Sequence, residues 1–568
     1  MFHQMLSGKL SFTVLLSGVL FMLLLYLPFN ESFLDVFWNR LLPNYFSSYT
    51  FMQSRQAEAV VTIECGTIVG KVLASHRAFL GIPFAEPPIG ELRWKAPVML
   101  RKFTKPILLA TSFGPSCIQH LMNTSMARRF LVGDGACESE DCLNLNVYTP
   151  RASTEKSLPV IVFIYGGKFS SGSNSQAAYN PAKLFLRKEK FIFVIPNYRV
   201  GPLGFLASKQ MLKLASESGV EVGNYGILDI VLALDWIHNN IAAFGGDPNN
   251  ISIQGQSAGA MALLFVYKAL LKEGKYFVRN LVFNSTSDPK YVLRNLNDGI
   301  TQQSFDAIAH AAGCNTQPNE AALLACMRQI SVQKLKAIVE ERHLDCTWSA
   351  FEHEQLFTQT DIYDLSTGVP QEKKANVFIT LMKDDASIFV YRVYASDFLS
   401  SVQSLSTLYH DYKIASKILS NYPFAHYNSH FHCLSQAVTD HVFRCPSIRM
   451  FEVLKQQNYN VFFQEIDLQM SILSMLSKWT IRNDLGAFHG AELLAFFLTR
   501  PFLVTAKERV KAKAFQERII KFCLTGSPKL SENEQFVPEP SAKCTFWEAE
   551  EFPFPRKSFA NLHVQPER

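Results

Sequence analysis

The sequence predicts an α/β architecture built on a central, mainly parallel, twisted sheet flanked by helices. Three observations predict it. Short apolar runs recur along the chain, a helical pattern separates two of them, and a Gly-x-Ser-x-Gly pentapeptide directly follows the last of the early runs. Strands that alternate with helices indicate parallel pairing, because a parallel crossover needs a connection long enough to hold a helix.

The elements follow in order. Val60–Ile63, Leu145–Tyr148, Val160–Tyr165 and Phe191–Pro196 read as strands. Ile227–Ile241 reads as a helix whose apolar positions are Leu228, Val231, Leu232, Leu234, Trp236 and Ile237. Ile251–Gln254 is the next strand, and it runs into Gly255-Gln256-Ser257-Ala258-Gly259 with a small-residue run behind it. Leu281–Phe283 and Val377–Leu381 are later strands, followed by a largely helical region. No repeat or low-complexity linker divides the main body, so residues 59–556 are expected to form one large domain. A connector (30–58) precedes it, and a short tail (557–568) follows it.

Composition bounds the function. A 568-residue chain that is 48% apolar can bury one large core or two ordinary ones. The formal charge of +6 is small for this size, and no long Lys/Arg run occurs, which argues against nucleic acid as a partner. The 46 phenylalanines point to an apolar interior.

The amino end points to a location. Ser11–Phe29 carries no charge and is long enough for a bilayer's hydrocarbon core of about 30 Å. It is longer than a usual cleavable signal, and Leu27-Pro28-Phe29-Asn30-Glu31 is a poor cleavage site, which favours a signal anchor over residues 1–29. Lys9 lies before the segment, while Glu31 and Asp35 lie after it, so the short amino end is expected to be cytoplasmic. The rest would be lumenal or extracellular, or secreted if the segment is cleaved. Acceptor sequons agree with that placement. Asn30 and Asn123 are the expected glycosylation sites, whereas Asn250 and Asn284 lie on or beside core strands.

Eleven cysteines show no paired Cys-x-x-Cys units, so no zinc framework is expected. His426, His430, His432 and Cys433 match no common ligand spacing and read as a half-exposed polar loop. Neither a metal nor a cofactor is expected.

The pentapeptide is a candidate nucleophile elbow. Its serine sits on a sharp strand-to-helix turn, which its glycines let pass without collision. Ser257 then needs an acid and a histidine further along the chain. Lys383-Asp384-Asp385-Ala386 follows a strand end and offers two acids. Phe488-His489-Gly490 offers a histidine in a loop, one of 14 in the chain. His489 would take the serine proton and return it to the leaving alcohol.

Further motifs carry a resemblance. Phe79-Leu80-Gly81-Ile82-Pro83-Phe84-Ala85-Glu86-Pro87-Pro88 and Glu140-Asp141-Cys142-Leu143-Asn144-Leu145-Asn146-Val147 come early. Asn197-Tyr198-Arg199-Val200-Gly201 and Phe244-Gly245-Gly246-Asp247-Pro248 lead into the elbow. Together, over residues 60 to about 556, they resemble the type-B carboxylesterase and cholinesterase family of the α/β-hydrolase fold. The resemblance implies Ser257, Asp385 (rather than Asp384) and His489 as the triad. It also implies an oxyanion hole from the backbone N–H groups of Gly167, Lys168 and Ala258. By the same resemblance, disulfides join Cys117 to Cys142, Cys314 to Cys326, and Cys445 to Cys544. That leaves Cys65, Cys137, Cys346, Cys433 and Cys523, an odd number.

Two positions depart from the family pattern. Lys168 stands in a three-glycine oxyanion loop, where left-handed backbone angles cost a non-glycine residue roughly 1–2 kcal/mol. Gln256 stands where the family often has glutamate, which removes a charge that would attract cations. The segment between Cys117 and Cys142 holds no tryptophan to stack on choline, which argues against cholinesterase activity. The resemblance therefore implies a serine carboxylic-ester hydrolase that acts through an acyl-enzyme on small neutral or apolar esters. The alternative is a catalytically weak or inactive cell-surface adhesion or scaffold member. The oligomeric state is left open.

Overall fold

The apolar runs come together in one eleven-stranded sheet, seen in a computed structural model. The structure describes residues 58–531 and 534, apart from 120–136, 152–156, 219–221, 288–292, 295–298, 343, 345–347, 353–357, 359–361, 391–420, 472–483 and 498–504. The expected anchor, Asn30, Asn123, Cys346 and Cys544 lie outside the described residues.

The sheet opens with an antiparallel meander of β1 (Glu58–Ile63), β2 (Gly66–Val72) and β3 (His76–Pro83). β4 (Ile107–Leu109) pairs with β2, while β5 (Ser116–Cys117) and β6 (Glu138–Ser139) form a separate two-stranded ladder. The remaining strands are β7 (Asn144–Pro150), β8 (Leu158–Ile164), β9 (Ile192–Pro196), β10 (Gly246–Gln256), β11 (Val278–Asn284), β12 (Asn376–Met382) and β13 (Val461–Ile466). The spatial order is β1-β2-β3-β7-β9-β8-β10-β11-β12-β13. Every pair from β9 onward is parallel. The central strands are apolar on consecutive residues because both faces are covered, and Val160–Ile164 is fully buried.

Helices supply the cover. α1 (Tyr225–Asn240) and α2 (Ala258–Lys272) pack together and against β10. Further on come α3 (His430–Thr439), α4 (Cys445–Gln456), α5 (Ala491–Phe497) and α6 (Ala506–Thr525). α6 packs on β8, β10 and β11, where the Cys523 carbonyl accepts from Ser252 Oγ at 2.7 Å and Asn280 Nδ2 at 2.9 Å. The stretch Tyr225–Phe244 is long and apolar enough to cross a membrane. Here it is a core helix with Trp236 and Ile237 fully buried.

Each expected strand overlaps an observed one, with Tyr165 and Phe191 falling just outside β8 and β9, and four further corrections follow. β2 and β3 escaped the sequence reading because their apolar and polar residues mix at half-buried positions. β13 runs through the region expected to be largely helical; its outer position leaves Gln464 and Glu465 in solvent contact, which breaks the apolar run. In α1, Leu228 and Leu232 are only half-buried, while Ile227, Ile230 and Ala233 carry the buried face. Lastly, His430, His432 and Cys433 lie on α3 rather than in a loop, because Ser429 caps that helix by accepting from the His432 N–H at 3.1 Å.

Cys117–Cys142 and Cys314–Cys326 are bonded. Cys445 is also disulfide-bonded, while Cys65, Cys137, Cys433 and Cys523 are free thiols. Beside the first disulfide, Arg93 clamps Glu140 through Nε at 2.7 Å and donates to the Ile330 carbonyl at 2.6 Å.

Parallel register brings the strand ends to one edge. Gln256 lies opposite Asn284 and Asn284 opposite Thr380, so β10, β11 and β12 finish side by side. In an open parallel sheet, the carboxyl ends of the strands are where ligands bind.

Candidate active site

At the end of β10 the chain turns sharply into α2, and Ser257 sits on the turn with φ 56° and ψ −127°. That conformation is strained for a residue with a side chain and is held by its surroundings. The Ser257 N–H donates to the Asn284 carbonyl at 2.9 Å, and the Ser257 carbonyl accepts from the Met261 N–H at 2.9 Å. Asn284 is itself tied on both sides, by Gln254 Nε2 at 2.9 Å and to Thr380 Oγ1 at 2.6 Å. A buried side chain so engaged cannot carry a sugar, which removes that sequon.

The glycines answer to backbone crowding. A Cβ on Gly255 would lie 2.5 Å from the Gly259 carbonyl oxygen, and one on Gly259 would lie 2.3 Å from that of Ile164. A Cβ on Gly166 would meet the Gln256 carbonyl oxygen at 2.6 Å and Ser257 Cβ at 2.7 Å. β8, its following loop and the elbow therefore cross at a separation only glycine permits.

Two strands away, β12 ends in a turn that separates the two candidate acids. Asp385 is fully buried; its Oδ1 lies 2.6 Å from His489 Nδ1, and its Oδ2 accepts from the Met382 N–H at 2.9 Å. Asp384 instead accepts from the Ala487 N–H at 2.9 Å and braces the loop that leads to His489. Burial raises the Asp384 carboxyl above the ordinary aspartate value. The rings of Phe389 and Phe443 each lie 5.1 Å from the His489 ring. Burial alone would lower the imidazole pKa, but the Asp385 carboxylate outweighs it and raises it above the usual histidine value. Glu492 adds to that rise and Lys168 opposes it.

Glu492 was not foreseen. It lies in the first turn of α5, three residues after His489, and is 2% exposed. Burial pushes its carboxyl up to about 7, with Asp385 adding to the rise and His489 opposing it. Gln256 Nε2 donates to Glu492 Oε1 at 3.1 Å and lies 3.3 Å from His489 Nε2. The available signal was an acid one helical turn beyond the histidine, in His489-Gly490-Ala491-Glu492. Among the described residues, no hydrogen bond joins Ser257 Oγ to His489.

The loop after β8 bends through three consecutive residues with positive φ: Gly167 at 119°, Lys168 at 57° and Phe169 at 57°. The strain expected at Lys168 is therefore present in its backbone. The Gly167 carbonyl is taken up by the N–H groups of Ser170 and Ser171, both at 3.0 Å, and the Phe169 carbonyl by that of Gly201 at 2.7 Å. Gln119 brackets Gly172, accepting from its N–H at 2.8 Å and donating to its carbonyl at 3.1 Å. Lys168 Nζ stands 5.7 Å from the ring centroid of Phe389, one of the two rings that flank His489. Ala258 opens α2, and the first N–H groups of a helix lack acceptors within it. Among the described residues, no group of His, Cys, Asp and Glu could hold a metal ion.

A strained serine on a strand-to-helix turn, a carboxylate–imidazole pair after a neighbouring strand and a tight backbone loop after β8 thus gather at the carboxyl ends of an α/β-hydrolase sheet. The sequence matches the profile described as "Carboxylesterase family" over residues 57–550, and the chain belongs to that family. Among its relatives is the cAMP-regulated D2 protein of Dictyostelium discoideum, 30% identical over 84% of this chain and 86% of that protein. Another is the Crystal protein of the same organism, 31% identical over 68% of this chain and 67% of that protein.

Proposed function

We propose that this chain is a serine carboxylic-ester hydrolase working through an acyl-enzyme on small neutral or apolar esters. The observation that carries the reading is the 2.6 Å contact between Asp385 and His489 Nδ1, in a chain whose Ser257 holds the strained elbow conformation. Asp385 fixes the proton on Nδ1 and leaves Nε2 as the base. Ser257 Oγ attacks the acyl carbon, and its proton passes to His489 Nε2. The N–H groups of Gly167, Lys168 and Ala258 are assigned to the resulting oxyanion. The alcohol leaves with the proton from Nε2. Water, deprotonated by the same nitrogen, then releases the acid and restores Ser257.

Phe389 and Phe443 beside the imidazole support an apolar rather than a charged leaving group. The family domain, assigned to residues 59–556, is placed in the lumen or outside the cell behind the apolar segment at 11–29, with sugars on Asn30 and Asn123.

The test is labelling of the full-length chain by a fluorophosphonate probe, with Ser257→Ala as control. Label that disappears in Ser257→Ala supports the esterase; an unlabelled, folded wild type refutes it. A second reading, a catalytically weak adhesion or scaffold member, draws on the strained Lys168 and on the Gln256 contact at His489 Nε2. Neither relative's name states a reaction.

A further inference from the structure

The nitrogen that must receive the Ser257 proton already has a neighbour. With Asp385 at 2.6 Å on Nδ1, the imidazole carries its proton there, and Nε2 presents a lone pair. Gln256 Nε2 lies 3.3 Å from that lone pair and 3.1 Å from Glu492 Oε1. An amide nitrogen has two hydrogens, so one serves each acceptor. The reverse orientation would set the amide oxygen against both a carboxylate and a lone pair.

Both residues are fixed by the fold. Gln256 is the last residue of β10, directly before the nucleophile, and is 4% exposed. Among the described residues Glu492 Oε2 has no hydrogen-bond partner, and the Gln256 amide is a side-chain donor that steadies this carboxylate.

We infer that Gln256, anchored by Glu492, is a positioning residue that caps His489 Nε2 in the resting site, so that acylation starts only when the amide yields Nε2 to the Ser257 hydroxyl. This rests on the esterase reading above. At 3.3 Å the cap is long for a hydrogen bond to nitrogen, which suits a contact that must exchange. A glutamate at 256 could not make it, since a carboxylate has no hydrogen to offer. The departure at Gln256 thus adds a donor to the base, besides removing a charge. A donor on Nε2 also favours the neutral imidazole and lowers its affinity for a proton. The titratable groups around the pair are Asp385 after β12, Lys168 after β8, and Tyr179, whose phenol faces Glu492.

The experiment compares the full-length wild type with Gln256→Met, which keeps length and apolar packing but has no N–H. The readouts are the fluorophosphonate labelling rate and the pH profile of 4-nitrophenyl butyrate hydrolysis. Uncapping raises labelling and kcat about 3- to 10-fold, the worth of one neutral hydrogen bond, with KM unchanged. It also moves the acid limb to higher pH. Glu492→Met, which has no oxygen to accept from the Gln256 amide, raises labelling too but moves the acid limb to lower pH, because it removes a negative charge that supports the imidazolium. An active wild type with unchanged labelling and acid limb in Gln256→Met overturns this inference alone. If Gln256→Met does not fold by circular dichroism, Glu492→Met decides by its labelling rate, and a rate no higher than that of the wild type overturns the inference. A folded wild type that neither labels nor turns over ester overturns the esterase reading and this inference with it.

Discussion

Glu492→Gln makes a quantitative claim about stability. The Glu492 carboxyl is pushed from 4.5 up to about 7 by burial. Between those values the folded protein keeps a proton that the unfolded chain has released. The wild type is therefore most stable below this window and loses stability as pH rises through it. At about 1.36 kcal/mol per pKa unit, the full loss is about 3 kcal/mol, with roughly 2–3 kcal/mol of it falling between pH 5 and pH 8. Glutamine cannot ionise, so the variant lacks that loss. It does carry a fixed penalty of about 1–3 kcal/mol, because its buried –NH2 inherits a position where Oε2 has no partner among the described residues. The penalty is the same at both pH values and cancels in the comparison. For the family domain of about 490 residues, an unfolding entropy of about 2.1 cal/mol/K per residue gives about 1 kcal/mol/K. Relative to wild type, the variant's Tm should thus rise by about 2–3 °C on going from pH 5 to pH 8. Scanning calorimetry at one fixed scan rate reads this difference, and infrared titration should show a protonated-carboxyl band near neutral pH that the variant lacks. A Tm difference that is the same at both pH values, or no such band, refutes the burial argument.

The two acids at the end of β12 should separate cleanly. Asp385→Asn loses about 10⁴ in kcat through the wrong imidazole tautomer, whereas Asp384→Asn, which still offers an oxygen to Ala487, stays within about tenfold; steady-state kinetics on one neutral ester decides. Lys168→Gly relieves roughly 1–2 kcal/mol of left-handed backbone strain and removes a charge that depresses His489. Turnover of a neutral ester should rise and the acid limb should move to higher pH; unchanged turnover would show that the lysine does not limit catalysis. Gly259→Ala sets a Cβ 2.3 Å from a backbone oxygen and should cost at least about 1–3 kcal/mol, read as a lower Tm together with lost labelling.

What could be read from the sequence divides along physical lines. Strands buried on both faces, such as Leu158–Ile164 and Ile192–Pro196, announce themselves because nearly every residue is apolar. The mixed pattern of β2 and the polar outer positions of β13 leave no such trace. The elbow was legible because glycine spacing reports backbone crowding directly. Spacing alone could not choose Asp385 over Asp384, since both follow the same strand and only the turn decides which one faces His489. The family resemblance selected Asp385, and Asp385 is the acid that lies 2.6 Å from His489 Nδ1. Gln256 was read only as a lost charge; that its amide would reach the imidazole depends on α5 starting beside the end of β10, which no local pattern encodes. Glu492 stayed hidden because an acid just after a glycine looks like ordinary helix-start chemistry.

The crossing of Gly166 with the elbow restricts how this chain could be redesigned. At 166, 255 and 259 any side chain would run into backbone, so mutational libraries at those positions would return mostly unfolded protein. Lys168 is exposed, and Gln256 extends its side chain to His489 rather than into backbone, so both could exchange side chains without moving the frame. Mutational libraries meant to change the chemistry at this site should therefore begin at 168 and 256.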